Sequence, residues 1–262
     1  MHTPYHYLTR HLKGHTEGYR RLIIHTYVIV LRVILFNALH HLFLGIFFGI
    51  IGKKEKKHIH FLEGARKWGN AVVKSTSTTL YFSNEFEIPD KGHMIFLNHI
   101  NEIDFPFDSL AIQKPYLANQ AIKSTLLAYW WMTAMGSQVF DTSHSRTIST
   151  SVRNLMKGLK SQSYIVYPEG HNSYSDEIKP LKKGMIKLAF EEKVPVHILV
   201  KTGIREFQDT QKGNLVAYRS GGVVDPKNFS TWEEMRDKIH STMVAEKKIL
   251  DEEVKLKKSQ KT

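Results

Sequence analysis

The sequence predicts an α/β fold: a largely parallel or mixed sheet covered by helices, entered through an N-terminal apolar helical hairpin. Three observations predict it. From about residue 77 onward, short β-rich runs alternate with helical windows, the pattern of strands joined by covering helices. Residues 22–51, LIIHTYVIVLRVILFNALHHLFLGIFFGII, form one long apolar stretch interrupted near its middle. The basic excess gathers around that stretch, since residues 1–67 hold eleven lysines and arginines against three glutamates, +8 of the net +12.

As one helix the apolar stretch would be ~45 Å long, more than a ~30 Å hydrocarbon core requires. Arg32 at its middle would be an expensive charge in a single central span, and Asn37 to His41 interrupt it. Basic residues flank both ends equally, four from Arg10 to Arg21 and four from Lys53 to Lys57, so neither orientation across a membrane is favoured. The simplest reading has both ends on one side. Residues 22–36 and 39–51 then form two helices that dip into one leaflet or lie along it, with the flanking cations on anionic headgroups. A buried hairpin in a soluble core is the alternative. Gly45 and Gly49 have a small-xxx-small spacing that suits close helix contact. A cleavable signal peptide does not fit, because the apolar segment starts late, runs long and lacks a cleavage pattern.

Residues 57–74 suit an amphipathic helix. Strands are expected at 80–83, 94–98, 116–119, 137–140, 163–167, 196–202 and 215–219. Helices are expected at about 106–113, 124–134, 147–160 and 181–193. A last helix at 231–256 opens with the capping box Ser230 to Glu233. The chain therefore divides into a basic, apolar membrane-associating segment (1–57), a catalytic domain (58–256) and a disordered basic tail (257–262). The absence of cysteine excludes a disulfide framework, a thiolate metal site and a cysteine nucleophile. No nucleic-acid-binding module accompanies the positive charge, which argues for no nucleic-acid partner.

The chemistry centres on Asn98-His99-Ile-Asn-Glu-Ile-Asp104, directly behind the apolar run 94–97. A continuous helix would set positions i and i+5 about 140° apart. A strand-to-helix turn brings them together, and Pro106 suits the first turn of the helix that follows. There Asp104 would accept the Nδ1 proton of His99 and leave Nε2 to take a proton from a hydroxyl. The same spacing recurs at His171 and Asp176, so spacing alone does not decide. No G-x-S-x-G, H-E-x-x-H or phosphate-loop pattern occurs. Direct attack of a substrate hydroxyl on an acyl carbon is the economical chemistry left. The second conspicuous stretch, Tyr167-Pro-Glu-Gly-His-Asn-Ser173, ends a strand in a turn.

The ordered set of Asn98-His99 with Asp104, Tyr167-Pro168-Glu169-Gly170, Lys183-Gly184 and Val194-Pro195-Val196 resembles the phospholipid and glycerol acyltransferase family, over about residues 80 to 205. That family carries N-H-x-x-x-x-D, G-x-x-F-x-x-R, F-P-E-G-T-R-S and V-P-[IV] in this order and includes 1-acylglycerol-3-phosphate acyltransferases. The resemblance implies a glycerolipid acyltransferase-like sheet and acyl transfer to a lysolipid acceptor in phospholipid synthesis or remodelling. The donor would be acyl-CoA or acyl carrier protein, with no cofactor and no metal. It also implies an N-terminal helical pair on the membrane face, hence a monotopic or re-entrant protein with its catalytic domain on the cytoplasmic side. His99 takes the role of general base and Asp104 that of its orienter. Asn98, Glu169, Gly170, His171, Asn172, Ser173, Arg146 and Lys183 become the acceptor-site candidates. Whether Glu169 touches the acceptor or braces its loop stays open.

Two departures bear on the acceptor. Thr142 and Asn172 stand where the family has the arginines associated with the acceptor's phosphate, and asparagine lacks a guanidinium's charged, bidentate grip. Arg146, Lys123 and Lys182 are the candidates to replace them. Otherwise a lysolipid with a capped or absent phosphate is the better acceptor. A catalytically impaired membrane-binding relative is the alternative function.

Overall fold

The computed structural model describes Leu12 and residues 14–124, 126–141 and 144–260. Three helices come first: α1 (Glu17–Phe36), α2 (Leu39–Ile50) and α3 (Lys54–Ser75). The rest alternates, with β1 (Thr79–Phe82), β2 (Met94–Phe96), α4 (Asp104–Ala111), β3 (Leu117–Asn119), α5 (Leu126–Ala134), β4 (Gln138–Phe140) and α6 (Ser145–Leu159). It closes with β5 (Tyr164–Val166), α7 (Lys183–Glu191), β6 (Val196–Thr202), β7 (Leu215–Val224) and α8 (Trp232–Ser259).

The main sheet has the order β1-β7-β6-β2-β5 and is mixed: β6 and β7 are antiparallel, and the other neighbouring pairs are parallel. A second, two-stranded parallel sheet joins β3 to β4, and Tyr116 bridges to Ile165 beside it. Strands β2, β5 and β6 are buried along their whole length; β2 and β5 read as unbroken apolar runs, whereas β6 carries His197, Lys201 and Thr202 in its sequence. Alternate strand residues enter two cores. Ile95, Leu97, Ile165 and Leu199 face a cluster shared with α1, α3, α4 and α5. Met94, Phe96, Val166, Ile198 and Val200 face a cluster shared with α6, α7 and α8. The molecule is thus helix, sheet, helix in three layers, with the period-2 pleat sorting the side chains.

Some expectations need correction. The boundary drawn at 57/58 falls inside α3, which packs on α1, α2 and α4, so the first helices share the catalytic domain's core. α1 does not lie apart as half of a membrane hairpin: Leu22, Ile23, Ile29 and Val33 are buried against the domain. α2 is the exposed member, with only Gly45 buried. The two helices meet at 75°; no single helix among the described residues is long and apolar enough to cross a membrane, although the bent pair passes by length and composition. The last helix is capped by Thr231 rather than Ser230, its hydroxyl accepting the Glu234 amide while the Glu234 carboxylate returns to the Ser230 amide. That helix also continues through Ser259, taking up residues 257–259 of the expected tail; Lys261 and Thr262 lie outside the described residues. β7 runs five residues beyond 219, because β6 offers it a ladder that its Ser-Gly-Gly sequence does not advertise.

Close helix contact depends on glycine at several places, among them Gly64, where a Cβ would lie 2.5 Å from the Trp131 ring. A Cβ on Gly45 would lie 2.6 Å from the Phe61 ring, so the Gly45–Gly49 spacing serves contact between α2 and α3 within this chain. At Gly69 a Cβ would lie 2.3 Å from the Pro106 carbonyl oxygen and 2.8 Å from Leu110, where α3 crosses α4 behind the loop that carries His99. Backbone cannot step aside as a flexible side-chain tip can. Gly69→Ala is therefore expected to lower the unfolding free energy by about 1–3 kcal/mol. Lys74→Ala, exposed on the same helix, should stay within about 0.5 kcal/mol of wild type in the same urea melts.

Candidate active site

The parallel strands β2, β5 and β6 end on one edge of the sheet, where the next connections must turn away and ligand sites of open α/β sheets form. Asn98, just past β2, ties its side-chain amide to β6, accepting from the Lys201 amide at 2.8 Å and donating to the Lys201 carbonyl at 3.0 Å. It is thus a splice between strands and does not line the cavity described below. The chain then tightens: Asn101 Oδ1 accepts the Ile103 amide, and Asp104 opens α4.

His99 Nδ1 lies 2.6 Å from Asp104 Oδ2, which also accepts the Ile100 amide at 2.7 Å. With the proton on Nδ1, Nε2 is the nitrogen available to a substrate. The imidazole is held in plane as well as in direction, because it stacks on Tyr167 with centroids 4.0 Å apart and an 8° tilt. Tyr167 in turn donates its hydroxyl to Asp108 at 2.5 Å.

Behind the pair stands a group that the motifs do not name. Lys201, fully buried on β6, places its ammonium 3.1 Å from Asp104 Oδ1 and 2.6 Å from Asp108 Oδ2. Tyr218 donates to the other Asp108 oxygen at 2.8 Å. Burial pushes the Asp104 carboxyl up, but the Lys201 ammonium, the His99 hydrogen bond and the Ile100 amide pull harder, and it titrates below the ordinary aspartate range. Asp108 goes the other way, raised by burial and then by the charge of Asp104 against the pull of Lys201. Two signals in the sequence pointed here. A lysine stands in the run VHILVKT, behind the apolar Ile198-Leu199-Val200, and a second aspartate follows Asp104 at i+4 on the same helix face.

The His99 ring opens on a cavity of about 550 Å³. Its polar end is formed by His99, Asn101, Glu102, Gly170, His171 and Asn172; its long apolar part is walled by Ile23, Tyr27 and Val30 of α1, Trp68 of α3, Phe105, and Trp131 and Met132 of α5. Of the expected acceptor residues, Gly170, His171 and Asn172 line it. Gly170 has φ +73° in the turn closed by its amide on the Tyr167 carbonyl, a backbone state that favours glycine. Exposed His171 turns Nδ1 to the Glu169 carbonyl at 2.9 Å, and Asn172 donates to Glu102 at 2.8 Å.

Glu169, Ser173, Arg146 and Lys183 do not line the cavity. Glu169 braces the two loops, accepting the His99 amide at 3.3 Å. The Ser173 amide donates to the His99 carbonyl, again loop to loop. Arg146 is exposed in the first turn of α6 and Lys183 in the first turn of α7. The His171–Asp176 pair is not a second dyad, since the contacts of His171 run to the Glu169 backbone and Asp176 is exposed. Thr142 lies outside the described residues. Among the described residues no three histidine, aspartate or glutamate side chains are grouped to hold a metal ion.

Residues 79–200, the segment that holds both loops, match the family model described as Acyltransferase. The chain carries an acyltransferase-family domain. Its fold is also that of a solved structure, the 1-acyl-sn-glycerophosphate (LPA) acyltransferase PlsC from Thermotoga maritima, at a TM-score of 0.65 and 19% identity over 87% of this chain and 96% of that one. A sequence comparison with curated proteins gave no match. The likeness reaches beyond the 79–200 segment, since it covers 87% of the chain.

Glu169 gives this domain a pH signature. Burial pushes its carboxyl up to about 7, against the pull of the His99 and Lys179 amides, and its Oε2 meets no hydrogen-bond partner among the described residues. A carboxyl raised on folding favours the fold while protonated. Its contribution is complete below the unfolded value of about 4.3 and is lost as pH rises through about 7. Glu169→Gln should therefore flatten the stability curve across that window and leave the variant the more stable of the two at about pH 8. Urea melts at about pH 5 and about pH 8 measure it; an unchanged slope would put the responsible carboxyl elsewhere.

Proposed function

We propose that the protein transfers an acyl group from an acyl thioester, acyl-CoA or acyl carrier protein, to the hydroxyl of a lysophospholipid of the 1-acylglycerol-3-phosphate type, a step of phospholipid synthesis or remodelling. The observation that carries this is the His99–Asp104 pair at the polar end of an otherwise apolar cavity. The acceptor hydroxyl attacks the thioester carbonyl carbon while His99 Nε2 takes its proton. The tetrahedral intermediate collapses, the C–S bond breaks, and the imidazolium returns the proton to the departing thiolate. Asp104 holds the Nδ1–H and stabilises the imidazolium through the step. Lys201 stands on the far carboxylate oxygen and keeps Asp104 anionic. The apolar walls suit an acyl chain and limit competing attack by water.

The protein is proposed to work on a membrane surface, monotopic or re-entrant, with the catalytic domain on the cytoplasmic side. What supports this is the exposed apolar surface at the end of α1 and along α2, including Phe36 (78% exposed), Phe43 (63%), Phe47 and Ile50 (80%), next to the cluster Lys53, Lys54, Lys56 and Lys57. Apolar insertion and attraction to anionic lipid then act together.

Thiol release from acyl-CoA on addition of a lysolipid tests the reaction. His99→Ala is expected to lower kcat by about 10³-fold or more and Asp104→Asn by about 10²–10⁴-fold, with both proteins folded, while His171→Ala loses less than about tenfold. An active His99→Ala beside an inactive His171→Ala would reverse the assignment.

Replacing Phe43, Phe47 and Ile50 together by glutamate should abolish sedimentation with anionic vesicles and leave the melting curve close to wild type, because the apolar faces of these side chains lie in solvent. High salt alone should not release the wild-type protein; complete release by salt would mean a purely charge-held contact.

A further inference from the structure

The headgroup end of the cavity is built around a negative charge. Although the chain carries a net +12, no lysine or arginine lines the cavity among the described residues, and Glu102 brings a carboxylate to it. Three donors converge on that carboxylate from distant parts of the chain. Tyr19 on α1 donates its hydroxyl to Oε2 at 2.7 Å, Asn172 donates its amide to Oε1 at 2.8 Å, and the Tyr174 hydroxyl donates to Oε1. Tyr174 and Asn172 are also 3.0 Å apart, and the His15 ring lies 4.6 Å from Tyr174 and 5.4 Å from Tyr19. Glu102 is therefore fixed in place, an acceptor-only group that its neighbours orient without neutralising. Asn172 occupies the position where the resembled family has an arginine, and here its amide is committed to Glu102.

The cations expected to serve a phosphate lie elsewhere. Lys123 is paired with Asp141 at 3.8 Å, and Arg146 is exposed on α6 without lining the cavity. Of the three candidates, Lys182 approaches the rim. Its chain lies over Gly170, with Nζ 3.3 Å from where a Cβ on that glycine would stand.

We propose that Glu102 reads the acceptor's headgroup and selects a lysophospholipid whose phosphate is capped by an ammonium-bearing group, a primary amine or a quaternary ammonium, with Lys182 at the rim beside the phosphodiester. This rests on the acyl-transfer reading above and, within its lysophospholipid class, replaces the terminal phosphate monoester by a capped phosphate. A terminal phosphate dianion placed here meets a like charge and finds no guanidinium among the described lining residues. A zwitterionic headgroup brings its cation to Glu102 and its single phosphate charge toward Lys182. Charge-assisted attraction for one acceptor and like-charge repulsion for the other separate the two by about tenfold or more in kcat/KM.

The test compares full-length protein in neutral mixed micelles with one acyl-CoA donor and four acceptors of equal chain length: lysophosphatidic acid and the lysolipids with glycerol, ethanolamine and choline headgroups. The glycerol acceptor separates capping of the phosphate from presence of a cation. Wild type should favour the ethanolamine or choline acceptor over both others by about tenfold or more in kcat/KM. Glu102→Gln, close in shape, keeps one oxygen to accept from Tyr174 and Asn172 and can turn its NH2 to the Tyr19 hydroxyl oxygen; it should reduce the cationic-to-glycerol ratio by about tenfold, with the change in KM. Asn172→Arg should raise the lysophosphatidic acid ratio. A wild-type preference for lysophosphatidic acid, or a Glu102→Gln that lowers all four acceptors alike, would overturn the headgroup assignment and leave acyl transfer standing. Absence of thiol release with every acceptor would overturn both.

Discussion

The structure depends on one buried ammonium. Lys201 sits in the central strand of the sheet with no exposed surface, between two aspartates that are themselves within 1% of full burial. Moving such ions out of water costs several kcal/mol each, and the cost is offset only where geometry and secondary hydrogen bonds are good. Here the partners come from three further elements: Asp104 and Asp108 from α4, Tyr167 from the end of β5, Tyr218 from β7. The ammonium thus fixes α4 against the sheet and, through Asp104, fixes the imidazole. The stacking of His99 on Tyr167, whose ring centroid lies 5.1 Å from the Lys201 ammonium, closes the same circuit from the other side. An imidazole so held has one tautomer and one plane before any substrate arrives, which is what base catalysis asks of its scaffold.

The first helix works on two faces at once. Its inner face buries Leu22, Ile23 and Val33 and walls the cavity with Ile23, Tyr27 and Val30, while its outer face exposes Val28, Leu31 and Leu35. One apolar helix therefore carries both the surface of a core element and the surface that a membrane element would present. The 75° turn at Asn37 and Ala38 sends α2 outward, where Gly45 meets Phe61 and the aromatic face stays open. Under the proposed function this geometry lets a lipid chain pass from bilayer to cavity along continuous apolar surface.

How much of this was legible in sequence follows the range of the contacts. β6 was readable to the residue because seven buried positions in a row cannot be confused with a surface strand. His99 and Asp104 were readable because they meet across five positions in a turn that the flanking strand and Pro106 announce. Lys201 lies 93 positions from Asp108 and could be noticed only as an anomaly in its strand. The Glu102 receptor was invisible for the same reason: Tyr19 and Tyr174 reach it from 83 and 72 positions away, and no local pattern marks a residue whose meaning depends on three distant donors. Asn98 and Glu169 stand at the two loops where the motifs put them, yet their hydrogen bonds run to neighbouring backbone and not into the cavity. Motif resemblance reports that a residue matters, whereas only the hydrogen bonds report whether it faces the ligand or the neighbouring loop.

Charge acts at two lengths in this molecule, with opposite signs. Arg21, Arg32, Lys53, Lys54 and Lys56, on and beside α1 and α2, are exposed, so their field adds up at a distance and falls away within a Debye length of about 8 Å in physiological salt. Under the proposed function they would bias where the protein settles and discriminate little between individual lipids. Glu102 is a single charge inside a concave, mostly apolar site, where screening is weak and a nearby group feels it strongly. It has little influence on where the protein docks and much on which headgroup stays. Under the proposed function a basic surface and an acidic reading point are complementary: the first would gather the enzyme onto anionic lipid, and the second would keep an anionic headgroup from occupying the place beside His99.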